Sequence, residues 1–258
     1  MELKNNTVLI TGGTSGLGLV FAKKLLELGN TVIVTGRDRA KLTAVAEKTP
    51  GLHIFQCDVS NPKDIADLYE NVVTQFPKLN VLINNAGEMR RLSLHDTSIG
   101  LTDITREVET NLMGPIRMVQ AFLPHFKALG SAAILNVTSG LSLIPYPISP
   151  IYGATKSGLR SYTKSLRVQM KNTNVKVFEL IAPAAKTPLN DKFIDMDGFD
   201  PKQMMEPEKI IDATLKGLKN DNYEIYPGVA RIMLMMSRIA PAFMLKMLSR
   251  SGAAEMAG

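Results

Sequence analysis

The stretch Thr11-Gly12-Gly13-Thr14-Ser15-Gly16-Leu17-Gly18 separates two segments with different hydrophobic patterns. Before it lies the apolar run Val8-Leu9-Ile10, and after it apolar residues recur at the spacing of an α-helix. Glycines allow a sharp turn close to a ligand, and the following helix offers unpaired N–H groups and the positive end of its dipole to an anion. The stretch therefore predicts a strand, a turn and a helix that bind a pyrophosphate. An ordinary turn without a ligand stays the alternative, because the glycine spacing departs from G-x-G-x-x-G.

Short apolar runs and amphipathic segments alternate along most of the remaining chain. Further strands are predicted at 31–35, 53–58, 81–85, 132–139 and 175–181. Helices are predicted at 39–48 with Asp38 as its cap, at 62–76, at 101–129 as one long helix, and at 152–170. Such alternation requires a parallel sheet with helices on both faces. The predicted fold class is α/β, a doubly wound parallel sheet in three αβα layers, with residues 1–258 forming a single domain.

The residues that follow the predicted strands are small or polar, in contrast to the strands themselves. They are the turn 12–18, Gly36 and Arg37, Asp58 and Val59, Asn85-Ala86-Gly87, Ser139, and the segment 183–187. Ligands of such sheets bind beyond the carboxyl ends of the strands, where the strand order reverses. We therefore expect these residues to form the functional site.

Tyr152 and Lys156 stand four residues apart at the start of a predicted helix, so their side chains share one face. A phenol with a pKa near ~10 is a weak acid–base catalyst at neutral pH, and a neighbouring ammonium lowers that pKa. The alternative is a solvated pair without chemistry. Ser139, at the end of a predicted strand, favours the catalytic interpretation.

These motifs together resemble the short-chain dehydrogenase/reductases in their single-domain form, a family with a Rossmann fold. The resemblance runs from Thr7 to about Thr187 and includes the glycine turn, Asn84-Asn85-Ala86-Gly87 and Tyr152-x3-Lys156. It implies a catalytic tetrad of Asn111, Ser139, Tyr152 and Lys156. By this resemblance Ser139 binds the substrate oxygen and Tyr152 exchanges a proton with it. Lys156 holds the nicotinamide ribose and lowers the tyrosine pKa, and Asn111 positions a water in the proton relay.

The resemblance also implies a site for a nicotinamide dinucleotide. Its residues are Gly12, Thr14, Ser15, Gly16, Leu17, Gly18, Arg37, Asp58, Val59, Asn85, Ala86, Gly87, Tyr152, Lys156, Pro183 and Thr187. The family commonly has Pro-Gly where this chain has Pro183-Ala184, a departure on the substrate side. An arginine after the second strand suits a 2′-phosphate, and an acidic residue suits a free ribose hydroxyl. Gly36 followed by Arg37 favours NADP (NADPH), and NAD stays the alternative.

The reaction implied is the interconversion of a carbonyl and a secondary alcohol by hydride transfer. One alternative is a dinucleotide-binding sensor or scaffold without catalysis, because a fold alone does not fix a function. An enzyme of the same fold that uses NAD, or that acts as an isomerase, epimerase or dehydratase, is the other alternative. The substrate is expected to be a small carbonyl or alcohol, with a lipophilic one favoured by the apolar residues of the 184–206 segment.

Composition narrows the partners and the compartment. The net charge of +6 comes from scattered lysines and arginines, so no nucleic-acid partner is expected. His53, His95 and His125 lack metal-ligand spacing, so no metal site is expected. The N-terminus has no signal-peptide pattern, and the single cysteine, Cys57, lies in an apolar run. We expect a cytoplasmic protein with a buried thiol.

Two segments and two helices lie outside the motifs. The segment 184–206 is predicted to form a lid over the substrate, and the Met-rich segment 228–258 to pack as a helix on the core or a partner, to close the pocket, or to contact a membrane peripherally. A homodimer or homotetramer is predicted from apolar residues on two sides of helices 101–129 and 152–170. They are Ile104, Val108, Leu112, Val119, Leu159, Tyr162, Leu166 and Met170.

Overall fold

Seven parallel strands form one sheet in the computed structural model, which describes residues 1–253. The strands are β1 (Thr7–Thr11), β2 (Thr31–Gly36), β3 (Leu52–Gln56), β4 (Leu79–Asn84), β5 (Ala132–Ser139), β6 (Val175–Ala182) and β7 (Glu224–Ile225). Their order across the sheet is β3-β2-β1-β4-β5-β6-β7. The direction of winding reverses between β1 and β4, and this reversal is the point where such sheets bind ligands. The predicted α/β doubly wound fold is confirmed.

Helices cover both faces of the sheet, and an apolar core lies between each helical layer and the strands. The helices are α1 (Gly16–Glu27), α2 (Arg39–Lys48), α3 (Pro62–Gln75), α4 (Leu101–Ile104), α5 (Arg106–Val108), α6 (Gly114–Ala128), α7 (Pro150–Gln169), α8 (Pro207–Lys219), α9 (Ala230–Ile239) and α10 (Pro241–Leu248). Asp38 caps α2 as predicted, because its side chain accepts a hydrogen bond from Lys41 N. Within residues 1–253, no helix has the length and apolarity needed to cross a membrane.

The long helix predicted at 101–129 is wrong in its first half. The backbone breaks at Thr105, and residues Glu109–Met113 form a π-helical turn before α6 begins. A π turn inserts one residue into the helical register, and such turns are frequent at functional sites. Here the inserted register carries Asn111 into the interior of the protein, where its side chain is buried.

The prediction that helices 101–129 and 152–170 present a second apolar side to a partner is partly wrong as well. Val119, Leu159, Leu166 and Met170 are buried inside this chain, so they leave no apolar face for a partner. Val119, Leu166 and Met170 pack in the core on the α3, α6 and α7 side of the sheet. The remaining members of the predicted set are half-buried. The single C-terminal helix is instead two, because Pro241 starts α10 after a non-helical Ala240.

Candidate active site

The ends of β1 and β4 are locked together by the side chains of Thr11 and Asn85. Thr11 Oγ1 accepts hydrogen bonds from Asn85 N and Ala86 N, both at 3.0 Å. Asn85 Nδ2 in turn donates to Thr11 O and Gly12 O, again at 3.0 Å. The amide predicted to contact the cofactor therefore holds the glycine turn in place. Sequence reasoning missed the anchoring hydroxyl of Thr11, whose partners come from a strand more than seventy residues away.

The glycines of the turn are needed for three different reasons. Gly12 and Gly16 have positive φ angles of 67° and 53°, which favour glycine. A Cβ at Gly12 would lie 2.8 Å from Ala86 Cα. Gly18 lies beneath the turn, where a Cβ would come within 2.2 Å of Gly12 O. Gly18 thus supports the turn from below and does not face the ligand side.

A cavity of about 930 Å³ runs along the carboxyl ends of the strands, from β2 to the loops after β5 and β6. Every predicted cofactor residue except Gly18 lines it, as do Ser139, Tyr152 and Lys156. A volume of this size is at the upper end of the range for ligand pockets. At one end of the cavity the glycine turn offers backbone without side chains, and Arg37 lies at the edge of β2. A buried polar cluster lies at the other end. These residues therefore fit an elongated dinucleotide.

Ser139, Tyr152 and Lys156 meet at the inner part of the cavity. Tyr152 and Lys156 lie one turn apart on α7 and are both buried. Ser139 Oγ accepts a hydrogen bond from Leu141 N at 3.1 Å and lies on the same part of the cavity wall as Tyr152. Lys156 Nζ donates to Val137 O at 2.9 Å and lies 5.7 Å from the centroid of the Tyr152 ring. The three side chains thus present two hydroxyls and one ammonium to the same part of the cavity.

Burial controls the ionisation of the tyrosine and the lysine. Desolvation raises the pKa of Tyr152 to about 12, although the neighbouring Ser139 acts in the opposite direction. Desolvation also lowers the pKa of Lys156 to about 8, because burial disfavours its charged form. The predicted lowering of the tyrosine pKa is therefore wrong in direction for this structure. The ammonium donates to Val137 O and lies over the tyrosine ring.

Asn111 lies behind the cavity wall, and its side chain is fully engaged there. Its Oδ1 accepts from Glu88 N at 2.8 Å, and its Nδ2 donates to Glu88 O at 2.7 Å and to Thr155 Oγ1 at 3.2 Å. The amide therefore shapes the loop after β4 and contacts α7. A Cβ at Gly87 would approach both Asn111 Oδ1, at 3.3 Å, and Lys156 Nζ, at 3.6 Å. Asn111 thus lies next to the predicted catalytic group and acts as one of its supports.

Arg37 and Lys41 place two cations at the far end of the cavity, beyond β2. Arg37 is exposed and, within the described part of the chain, its side chain has no hydrogen bond or ion pair. Asp38 also lines this end, but its carboxylate accepts from Lys41 N at 3.1 Å and pairs with Lys41 Nζ at 3.9 Å. Lys41 was not among the predicted residues, and its position one turn into α2 is the signal that could have indicated it.

The substrate side of the cavity is apolar and is closed by the predicted lid and the C-terminal helices. Residues from four regions contribute: Met89, Leu141, Tyr146, Leu189, Phe193, Phe199, Met204, Met233, Met244 and Leu248. Tyr146 also lines the cavity, and burial raises its pKa to about 12. Cys57 also lines the cavity, and burial raises the pKa of its thiol to about 12. Within residues 1–253 no group of His, Cys, Asp and Glu could hold a metal.

A family model described as short chain dehydrogenase matches residues 6–198. The chain belongs to the short-chain dehydrogenase family. This dehydrogenase is 40% identical over 225 residues to the uncharacterized oxidoreductase DltE of Bacillus subtilis, a match that covers 87% of this chain and 89% of the relative. It is an NAD(P)-dependent oxidoreductase of that family.

Solved structures agree with the fold of this dehydrogenase. A short-chain dehydrogenase from Burkholderia cenocepacia in complex with NADP superposes with a TM-score of 0.82 at 23% identity, over 96% of this chain and 99% of that one. The 3-ketoacyl-(acyl-carrier-protein) reductase from Brucella melitensis complexed with NADH superposes with a TM-score of 0.76 at 28% identity, over 84% and 91%. The first of these structures contains NADP and the second NADH.

Proposed function

We propose that this dehydrogenase interconverts a carbonyl and a secondary alcohol with NADP as its cofactor. The observation that supports this reaction is the meeting of Ser139, Tyr152 and Lys156 at the inner part of the cavity. A bound nicotinamide supplies or accepts the hydride at the substrate carbon. A binding protein without catalysis needs no buried tyrosine, serine and lysine at the same part of the cavity.

The protein residues act on the substrate oxygen and its proton. Ser139 donates a hydrogen bond to the carbonyl oxygen, and Tyr152 gives that oxygen its proton during reduction. With a pKa of about 12, Tyr152 is a neutral phenol at pH 7 and carries the proton it has to donate. Lys156 holds the ribose and maintains positive charge next to the phenol. Asn111 keeps the loop at Gly87 and Glu88 in the shape that this arrangement requires.

The proposed preference for NADP depends on the end of β2. Arg37 and Lys41 both line the cavity there, and the carboxylate of Asp38 is used by the cap of α2. An arginine that is free to move pairs well with a 2′-phosphate, whereas an engaged carboxylate is a poor acceptor for a ribose hydroxyl. NAD stays the alternative cofactor, with Asp38 as the residue that would bind its ribose.

The substrate is proposed to be a lipophilic carbonyl or alcohol, because methionine, leucine and aromatic side chains surround the substrate side of the cavity. Methionine is flexible and polarisable, so it adapts to ligands of different shape. The segment 184–206 acts as a lid, since Phe193 and Met204 contribute to the cavity wall.

The free buried thiol of Cys57 agrees with a reducing cytoplasm. A homodimer or homotetramer is the proposed assembly.

Replacing Tyr152 by phenylalanine tests the reaction directly. Tyr152→Phe removes the proton donor, so turnover with a carbonyl panel and NADPH should fall about 10²–10⁴-fold. Cofactor affinity, followed by NADPH fluorescence, should change only a few-fold. Tyr162→Phe is the matched control, because Tyr162 lies on the same helix with a pKa raised by burial to about 12, but outside the cavity. Equal turnover in the two variants would support a binding protein or a different mechanism.

A further inference from the structure

Helices α9 and α10 separate the cavity from solvent and have apolar residues on both sides. On the inner side Met233 and Met244 line the cavity, and Met233 packs against Gly140, the residue after Ser139. The end of α10 is tied to the lid, because Gly252 N donates to Asp197 O at 3.0 Å and Ser251 Oγ to Gly198 O at 3.0 Å. The inner side of this helix pair is therefore part of the substrate site.

The outer side carries large apolar side chains in contact with solvent. We call it the outer apolar face and define it by Ile232, Met235, Ile239, Phe243 and Met247. Ile239 is 74% exposed and Phe243 is 60% exposed, so neither is a core residue. Met247 also lines the cavity, which means that the face continues into the pocket. Large apolar side chains exposed at helical spacing on neighbouring helices indicate an interaction site.

The charged side chains carried by α9, α10 and the residues just after them have one sign. Arg231, Arg238, Lys246 and Arg250 are exposed on the same two helices or just after them, and the sequence from 225 to 254 contains no aspartate or glutamate. Within residues 1–253, none of these four side chains forms an ion pair. Elsewhere on the chain basic residues are commonly paired, as are Lys63 with Asp67 and Lys24 with Asp212. The region is therefore a cationic rim around an apolar surface.

We propose that the outer apolar face docks on an anionic lipid membrane and brings the mouth of the cavity to the lipid surface. Helices with an apolar face and a basic border lie in the interface of a bilayer, with the apolar side chains among the acyl chains. A second copy of this chain is a poorer occupant, because a two-fold pairing would bring the cationic rims of both copies together. An anionic surface neutralises the rim and covers the apolar side chains at the same time.

Flotation of the full chain with vesicles tests the proposal without any measurement of turnover, so its result is independent of the proposed reaction. Vesicles of phosphatidylglycerol and phosphatidylcholine in equal amounts should bind the protein, and vesicles of phosphatidylcholine alone should bind it weakly. Raising the salt concentration should weaken the binding, because it screens the charges. The chain has no tryptophan, so Phe243→Trp gives a single fluorophore whose emission should shift to the blue as it enters the bilayer.

Two variants and a matched control define the surface. Arg238→Glu with Lys246→Glu should lower the partition coefficient at least a hundred-fold, since each unit charge near an anionic surface contributes about five-fold. Ile239→Ser with Phe243→Ser should also lower it. Lys127→Glu with Lys171→Glu makes the same change in net charge at exposed positions of other helix ends and should leave binding several-fold stronger than the first pair.

Three results would overturn the proposal. The first is no flotation of the unaltered chain with anionic vesicles. The second is an equal loss of binding in the control pair, which would indicate a general effect of net charge. The third is a loss of oligomers in the Ile239 and Phe243 variant without vesicle binding by the unaltered chain, which would assign the face to a second copy. Unchanged unfolding midpoints in all variants exclude misfolding as the cause.

Discussion

Lys156 is buried, yet its Nζ has one hydrogen-bond acceptor, Val137 O, and lies 5.7 Å from the centre of the Tyr152 ring. Its pKa of about 8 means that the ammonium is still present at neutral pH but is lost in mildly alkaline solution. Tyr152, with a pKa of about 12, keeps its proton over the same range. The first proton lost from this group as the pH rises is therefore that of the lysine.

A pH profile of carbonyl reduction tests this order of ionisation. The value of kcat/KM reports groups of the free enzyme, so it should stay level below pH 8 and fall as the pH rises through about 8, where Lys156 loses its charge. The proton on Tyr152 should not limit the rate until about pH 12. A decline centred near pH 6 would contradict both assignments, because neither group titrates there.

Arg37 is the residue on which the proposed cofactor preference depends. A hydrogen bond to a charged group contributes about 1.5–3 kcal/mol, so Arg37→Ala should weaken NADPH binding roughly ten- to a hundred-fold and leave NADH binding nearly unchanged. Fluorescence titration of both cofactors measures this. Arg39→Ala is the control, because Arg39 is an equally exposed neighbour outside the cavity. Equal affinities for the two cofactors, or equal effects of the two substitutions, would favour NAD with Asp38 as its ligand.

Single residues differ in how far their roles could be predicted from the sequence. The spacing of Tyr152 and Lys156 is a local property of one helix, so their shared face could be predicted. The hydrogen bonds of Asn111 and Thr11 join elements far apart in the chain, and no spacing encodes them. The pKa of Tyr152 was predicted in the wrong direction, since burial depends on the whole surrounding structure.

Among the elements, those defined by their own residues were predicted well. Strand β5 and helix α2 have the predicted bounds, because apolar runs, helical spacing and the Asp38 cap are local signals. Strand β7 was missed, since its two residues are extended only by pairing with β6. The π turn at Glu109–Met113 was missed as well, because helical periodicity in sequence does not reveal one inserted residue.

Arg160 joins helix α7 to the end of the sheet through buried polar contacts. We expect these contacts to contribute to the free energy of unfolding. Arg160 Nη1 pairs with the fully buried Glu179 at 3.0 Å, and Nη2 donates to Tyr226 Oη at 2.9 Å. Arg160→Met should lower the free energy of unfolding by about 3–5 kcal/mol, because it leaves a buried carboxylate without its partner. Urea denaturation measures the change.

Two further variants distinguish the loss of the ion pair from a loss of packing. Adding Glu179→Leu to Arg160→Met should recover much of the stability, since the buried charge is then gone. Lys164→Met removes an exposed cation 3.7 Å from Glu224 on the same helix and should cost about 0–1 kcal/mol. A double variant that is no more stable than Arg160→Met alone would show that packing by the arginine stem dominates.

At the scale of the whole molecule, the assembly depends on apolar surface that this chain does not bury itself. Half of the residues predicted for the subunit interface lie in the core, which reduces the candidate surface. What stays accessible on the same helices is half-buried Ile104, Val108, Leu112 and Tyr162, together with Val168, which is 73% exposed on α7. The outer apolar face of α9 and α10 is a separate surface with a cationic rim. The two surfaces therefore predict different partners.

Light scattering on the full chain distinguishes these surfaces. The unaltered protein should have at least twice the mass of one chain, and Val108→Glu with Val168→Glu should reduce it to that of one chain, because paired helices would then bury like charges. Ile239→Ser with Phe243→Ser should leave the mass unchanged, since we assign that face to lipid. Truncation after Gly228 is a poorer test, because it also removes the cavity residues Met233 and Met244. A single-chain mass for the unaltered protein at every concentration would refute the proposed oligomer. A loss of mass only in the Ile239 and Phe243 variant would instead assign the subunit interface to α9 and α10.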